Sequence, residues 1–419
     1  MNTFYHGDCK LVMNRKNDIP LESVDLIYLD PPFFTGKIQR GGKWRPGAME
    51  ITFDDNKTYW GQHQEEMRRK APLWLNSIPG SGEFKAYLYY MMVRLRLCKR
   101  VLKPTGSIYL HCDWRASHYL KMIMDEIFGV ANFRNEIVWC YSGGGISANN
   151  FPSKHDTIFR YSKSRDWTFN REYKPYKENT QQVGKHSTYV PLGKRSIDLG
   201  KGTPVTDWWT DINTATGWNP ERVGYPTQKP IALLERIILT SSNEDNIVLD
   251  PFCGCGTAIV AASLHNRHWV GIDISLKAYE VSKGRVHQMP LEMRREFAEA
   301  IYISRHLAEV KAMSPNEFER WVNQYYGATK ARPDKEVDGI TKEDIPIQAK
   351  TTKNGTDSPD IHTFNSAIRH HPKLQGIDVK EGIFVSQNGF TDRARQIVSE
   401  IEESEGITIH LVIPEEMLK

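Results

Sequence analysis

The stretch NIVLDPFCGCGTAIVAA, residues 246–262, constrains this chain more than any other. An apolar strand runs into Asp250, glycines stand at 254 and 256, and a helix-forming run begins at Thr257. Glycine lets the backbone turn tightly and approach a ligand closely. The next apolar run, WVGID, ends on a second acid, Asp273. Strand, glycine turn, helix and acid-tipped strand are the local architecture of a nucleotide-type site at the carboxyl ends of parallel strands.

The rest of the first 290 or so residues keeps that alternation, which predicts a doubly wound α/β sheet. Val24 to Asp30 and Ser107 to Cys112 read as strands, and 84–102 as a helix that Pro104 stops. A second helix is expected around Leu120, Ile123, Met124 and Ile127, and a strand at 136–141. Residues 142–226 lose helical periodicity and read as an inserted subdomain of loops and short strands, with Trp208, Trp209 and Trp218 packing a small core of its own. Regular elements return as helix 231–241, strand 246–250, helix 257–265, strand 269–273 and helix 276–286. A polar connector covers 291–313, and 314–419 form a smaller third region with a helix around Phe318, strands at 345–349 and 382–386, and a helix near 391–403.

Two acids and a glycine turn decide between cofactors. GxxxxGK[ST] is missing, so the turn is not a phosphate loop. Asp250 would repel a pyrophosphate and attract a cofactor carrying an amino group and a sulfonium. S-adenosylmethionine has both, so charge favours it over NAD. Asp273 is placed to take both hydroxyls of a ribose.

A second strand end carries chemistry. VDLIYLDPPF closes on Asp30, Pro31, Pro32 and Phe33. Asp-Pro alone makes a strand-terminating turn; it does not call for a ring behind two prolines. An exocyclic amine on a nucleobase is a poor nucleophile, because its lone pair is delocalised into the ring. Two acceptors around the NH₂ favour rehybridisation and offset the charge that grows on nitrogen. The Asp30 carboxylate supplies one, and the Pro31 carbonyl, fixed by Pro32, supplies the other. Phe33 offers a flat face for the base.

With these motifs in hand, the chain resembles the β-group amino-methylating DNA methyltransferases, in which a D/N/S-PP-Y/F/W motif precedes the cofactor loop. YHGDC, VDLIYLDPPF, GSIYLHCD, EIFG, KHDTIFRYSKS, GYPTQKPIALLERII, VLDPFCGCGT and VGIDIS match that group in order. The resemblance implies a Rossmann-like methyltransferase sheet over 1–141 and 227–290, with 142–226 as target-recognition insert. It implies that Asp8 meets the cofactor's adenine and that Gln228 and Lys229 lie near its methionine end. Phe252, Gly254, Gly256 and Thr257 would form the loop between Asp250 and Asp273. The usual FxGSGT is FCGCGT here, with Cys255 for Ser, a weaker donor. The expected reaction is methylation of double-stranded DNA at adenine N6, with cytosine N4 as the alternative, on a flipped base. The group is commonly dimeric, prokaryotic and cytoplasmic, working on the nucleoid.

IQRGGKWR follows the catalytic motif, and its Lys37 neighbour, Arg40, Lys43 and Arg45 sit among glycines as a clamp for phosphates. Lys154, His155, Lys174, Lys177, Lys185, Lys194 and Arg195 make the insert a candidate for target recognition. In the last region Asp338 and the Gln348/Lys350 pair fit D…QxK on adjacent strands, and GIFVSQNGFTDRAR follows. This resembles the Mrr-like branch of the PD-(D/E)xK nuclease fold. Glu319 is a second candidate acid, and Mg²⁺ would be required only if the domain cuts. Two other classes stay open: a methylation-linked restriction nuclease, and a DNA-binding regulator without catalysis.

Composition sets the bounds. Hydrophobic residues are 39% and charged residues 25% of 419, an ordinary globular balance. No run of about 18 apolar residues occurs, and MNTFYHGDCK has no apolar core of an export signal. Six cysteines without CxxC spacing argue for reduced thiols and no structural zinc. A net charge of +4 permits a nucleic-acid partner.

Overall fold

The computed structural model describes residues 2–15, 18–40, 52–55, 57–143, 148–175, 202–215, 219, 221–289, 301–303, 310–311, 313–326, 328–330, 337–341, 344–352, 355–370, 374, 377 and 379–417. The chain divides into two units, residues 1–300 and 301–419.

The first unit is built on β1 (Thr3–Gly7), β2 (Val24–Leu29), α1 (Gly82–Val101), β3 (Leu102–Cys112), α2 (Ser117–Phe128), β4 (Phe133–Cys140), β5 (His155–Ser162), β6 (Trp208–Trp209), α3 (Ile231–Ser241), β7 (Ile247–Asp250), α4 (Thr257–Leu264), β8 (His268–Asp273) and α5 (Leu276–His287). Within it the strands lie in the order β6-β4-β5-β3-β2-β7-β8-β1. β5 runs antiparallel to both neighbours; the other pairings are parallel.

Every residue of β2 is buried, as expected for a central strand covered on both faces. α4 is apolar on all sides and correspondingly buried from Thr257 to Ser263. α1 starts at Ser81, whose hydroxyl accepts from the Phe84 amide at 3.3 Å, and carries Lys99 and Arg100 at its negative end. Gly256 enters α4 at φ +75°, and a Cβ there would press on Ser282, so the turn requires glycine.

The helix read over 84–102 ends at Val101, three residues before Pro104, and Pro104 itself lies inside β3, where the register against β2 slips between Val24 and Leu26. A slip leaves proline's missing N–H without a ladder partner to lose. The segment 142–226 is not wholly an insert, because residues 155–162 form β5 in the middle of the main sheet. Trp209 does not pack a separate core either; β6 pairs with β4, and Trp209 is buried beside Arg236 of α3, while Trp208 is exposed. Trp218 lies outside the described residues. So does most of the connector 291–313, although 301–303 form a short strand.

The second unit contains α6 (Pro315–Tyr325), β9 (Thr329–Lys330), β10 (Gly339–Ile340), β11 (Pro346–Lys350), α7 (Ser358–His370), β12 (Glu381–Ser386), α8 (Asp392–Glu405) and β13 (Thr408–Val412). Its sheet order is β9-β10-β11-β12-β13, antiparallel through β11 and parallel beyond it. Ile361, Phe364, Phe384, Ile397 and Ile401 share its core. α7 and β13 were not anticipated from sequence; α7 has polar residues interrupting its apolar face, and β13 is only half buried. Among the described residues no helix is long and apolar enough to cross a membrane.

Candidate active site

Parallel pairing of β2, β7, β8 and β1 puts their carboxyl ends at one edge. The register aligns Leu249 with Ile27, Asp250 with Gly271, and His6 with Asp273. Asp30, Asp250, Asp273 and Asp8 therefore meet in one cavity of about 410 Å³, with Pro31, Pro32, Phe33, Gln228, Lys229, Gly254 and Thr257 also in its walls. That volume is within the usual small-molecule range of about 300–1,000 Å³.

The glycine loop and its acids are held by backbone donors. Asp273 accepts from the Gly254 amide at 2.7 Å and the Ser275 amide at 2.8 Å. Burial nevertheless pushes its carboxyl up to about 6. Asp250 accepts from the Phe252 amide at 3.0 Å, and burial, reinforced by Asp30 and Asp273, holds it well above the usual carboxylate range. Phe252 and Cys255 line the same cavity. The sulfur of Cys255 faces Thr257 Oγ1 at 3.6 Å and the Arg285 guanidinium at 3.4 Å, and Arg285 also donates to Thr257 Oγ1 at 3.0 Å. Gly254 (φ +52°) lies under the Tyr225 ring, 3.2 Å from where a Cβ would sit.

Asp8 caps the short helix Cys9–Val12 through the Lys10 amide at 2.7 Å and pairs with buried Arg94 at 2.5 Å. Gln228 lines the cavity, but its amide is committed to the loop: Nε2 donates to the Glu221 carbonyl at 2.8 Å and Oε1 accepts from the Val223 amide at 2.9 Å. Lys229 reaches across to Asp30, with Nζ 2.6 Å from Oδ2 and 5.2 Å from the Phe33 centroid.

Three supporting residues went unnoticed in the sequence. His111 stacks under Phe33 with centroids 5.8 Å apart and planes at 30°. Its ring nitrogens meet Tyr28 at 2.9 Å and Asp156 at 3.1 Å, and Asp156 also accepts from Tyr141 at 3.1 Å. Burial raises Asp156, but the His111 bond and charge, with Lys229 and Tyr141, outweigh it and hold the carboxyl low. Asp55, fully buried, takes the Thr35 amide at 2.6 Å, the Thr35 hydroxyl at 2.8 Å and Trp60 Nε1 at 2.9 Å, so it braces the loop behind Phe33. The signal for His111 was a polar residue ending the apolar run SIYLH; Asp55 had none, since Thr35 lies twenty residues away, beyond the DPPF turn.

Of the phosphate-clamp residues, Lys37 is exposed and Arg40 ends the strand Ile38–Arg40, paired with Thr52–Asp54; Lys43 and Arg45 lie outside the described residues. Lys177, Lys185, Lys194 and Arg195 also lie outside them. Lys154 is bound to the Gly143 carbonyl, and Lys174 is exposed.

Residues 24–284 match the DNA methylase family model that joins amino-methylating N6 and N4 enzymes. The chain belongs to that family. Residues 310–417 match the restriction endonuclease family of Mrr catalytic domains. The type II methyltransferase M.HpaI of Haemophilus parainfluenzae is 30% identical over 279 residues, 66% of this chain and 73% of the relative. The DNA adenine methyltransferase YhdJ of Escherichia coli is 27% identical over 311 residues, 74% of this chain and 87% of the relative. The crystal structure of the M1.HpyAVI–SAM complex is 19% identical, with a TM-score of 0.40, covering 68% of this chain and 99% of that one. As a member of this family the protein is an S-adenosylmethionine-dependent DNA amino-methyltransferase.

In the second unit of this methylase, Gln348 Nε2 and the Ala349 amide donate to Asp338 at 2.9 and 2.7 Å, while Lys350 pairs with Asp360 at 3.3 Å. A side chain at Gly339 would collide with the Asn323 amide, whose nitrogen donates to the Asp338 carbonyl at 3.0 Å. The three expected residues are thus adjacent. Among the described residues, no group of three His, Cys, Asp or Glu side chains is arranged to hold a metal ion.

Proposed function

We propose that the protein methylates adenine N6 in double-stranded DNA, with Asp30 and the Pro31 carbonyl as acceptors for the target amine and Phe33 as the face on which the flipped base stacks. The observation that carries this reading is the shared cavity: the DPPF turn and the Asp250–Asp273 glycine loop open onto the same 410 Å³ space. Asp273 would take the ribose hydroxyls, Asp250, Phe252, Gly254, Gly256 and Thr257 the loop contacts, and Asp8 the adenine side. The acidic lining suits a cationic cofactor: Asp8, Asp30, Asp55, Asp250 and Asp273 line one space, and the last three are pushed up by burial, so a positive charge placed there gains. Bound there, S-adenosylmethionine supplies a methyl group on a positively charged sulfur.

Adenine is favoured because the motif opens with Asp, and a relative covered for 87% of its length is named as an adenine enzyme. Lys37, Arg40, Lys43 and Arg45 are assigned to phosphate contacts. Single-molecule sequencing of DNA from cells expressing the protein is expected to show N6-methyladenine in one short motif. N4-methylcytosine would overturn the base assignment, and unmodified DNA would overturn the reading.

Asp338, Gln348 and Lys350 are read as a nuclease-fold site that contacts DNA without being required for methyl transfer. Lys350→Ala is expected to leave the methylation rate within about twofold of the parent, since surface changes away from a site are usually near neutral. A larger loss in a filter-binding methylation assay would show that the second unit contributes to the first.

A further inference from the structure

We propose that Lys229 is a positioning residue for the methyl-transfer step: its ammonium holds Oδ2 of Asp30, so that Oδ1 alone is presented to the target amine. This rests on the reading of Asp30 as the acceptor for the target amine, and it departs from the expectation that Lys229 serves the cofactor's methionine end.

The geometry is specific. Lys229 Nζ stands 2.6 Å from Asp30 Oδ2, with the two side chains 9% and 17% exposed. Among the described residues no other group hydrogen-bonds the Asp30 carboxylate, and Asp30 and Lys229 both line the cavity. The same ammonium lies 5.2 Å from the Phe33 centroid, and a cation on a ring face is held there by the ring's own charge distribution. Lys229 therefore ties together the acid and the ring of the DPPF turn from the opposite side of the cavity. Its backbone is separately anchored, because its carbonyl accepts from Thr257 Oγ1 at 3.3 Å at the start of α4. The lysine stem is thus fixed relative to the glycine loop, and its tip relative to the catalytic turn.

Electrostatics gives the arrangement a purpose. The charged or titratable groups facing Asp30 are Lys229, Asp250, Tyr28, Tyr225, Cys112 and Cys255. The phenols and thiols among them are pushed up by burial and stay neutral. Lys229 is the cation in contact. It also opposes the effect of burial on Asp156 beneath Phe33 and on Asp250. A hydrogen bond with a charged partner is among the stronger ones.

During transfer the amine lone pair forms the bond to the methyl carbon as the carbon–sulfur bond breaks and its electron pair returns to sulfur. The nitrogen, then cationic, gives one proton to Oδ1 of Asp30. That proton passes on to water.

The test uses the full chain with Lys229→Gln and Lys229→Arg. Lys229→Gln is expected to lower kcat by about tenfold or more, with KM for both substrates within about twofold. Lys229→Arg, which keeps the charge and a donor for Oδ2, should recover part of the lost rate. Calorimetry should show S-adenosylmethionine affinity within about twofold of the parent in both variants. An unchanged kcat in Lys229→Gln would overturn the proposal, as would loss of S-adenosylmethionine affinity by calorimetry with kcat intact at saturation. If instead the parent protein transfers no methyl group, the assignment of Asp30 fails first and takes this one with it.

Discussion

Asp30→Ala is expected to lower methyl transfer by at least about a thousandfold, roughly 4 kcal/mol of barrier, while S-adenosylmethionine binding stays within a few-fold of the parent. The size follows from what the carboxylate does. It accepts from an amine whose lone pair must leave conjugation, and it faces the positive charge that grows on nitrogen. Both interactions strengthen only as the reaction proceeds, so their loss falls on kcat rather than on ground-state binding. In this protein the substitution also removes the partner of Lys229. That leaves a nearly buried ammonium beside Asp250 and Asp156, which are close enough to compensate part of its charge. The fold should therefore survive, and a calorimetric titration alongside the rate assay separates the two effects. Retained turnover in the variant would contradict the role given to Asp30.

Asp273→Ala is expected to act on the other quantity, weakening S-adenosylmethionine by about thirty- to a hundredfold, 2–3 kcal/mol, with a smaller change in kcat at saturation. Its two oxygens already accept from Gly254 and Ser275, and the remaining lone pairs are those assigned to the ribose hydroxyls. Since burial lifts this carboxyl to about 6, the affinity should also depend on pH. Below that value the group is protonated in the folded protein and loses acceptor capacity, so affinity falls as pH drops, up to about tenfold per unit for one group. The stability sign is opposite. An acid whose folded value is raised takes up a proton on folding between its ordinary value and about 6, so its ionisation costs stability at neutral pH and that cost is relieved as pH falls through 6. Asp273→Asn should remove this part of the pH dependence of binding; calorimetry at a series of pH values reads it directly. A pH-independent affinity in the parent would argue against the ribose assignment.

Much of the site was legible because its residues are local motifs. NIVLDPFCGCGT and VDLIYLDPPF each place an acid at the end of an apolar strand, and a parallel sheet brings such ends to one edge whatever the order of the strands along the chain. The elements from 231 to 287 were read nearly to their ends for the same reason: strict periodicity, glycines and prolines at the boundaries. Pro104 marked the end of α1 but not its own setting, a slipped register between β2 and β3.

Sequence alone determined the acids, the glycine turn and the proline-braced ring, because short-range backbone rules dictate what those residue types do where strands end. Only the tertiary structure decided that Lys229 binds Asp30, that His111 underlies Phe33 and that Asp55 braces the following loop. It also decided that residues 155–162 belong to the main sheet. Those pairings join segments far apart in the chain, and a buried charge finds its partner through packing, which no local pattern encodes.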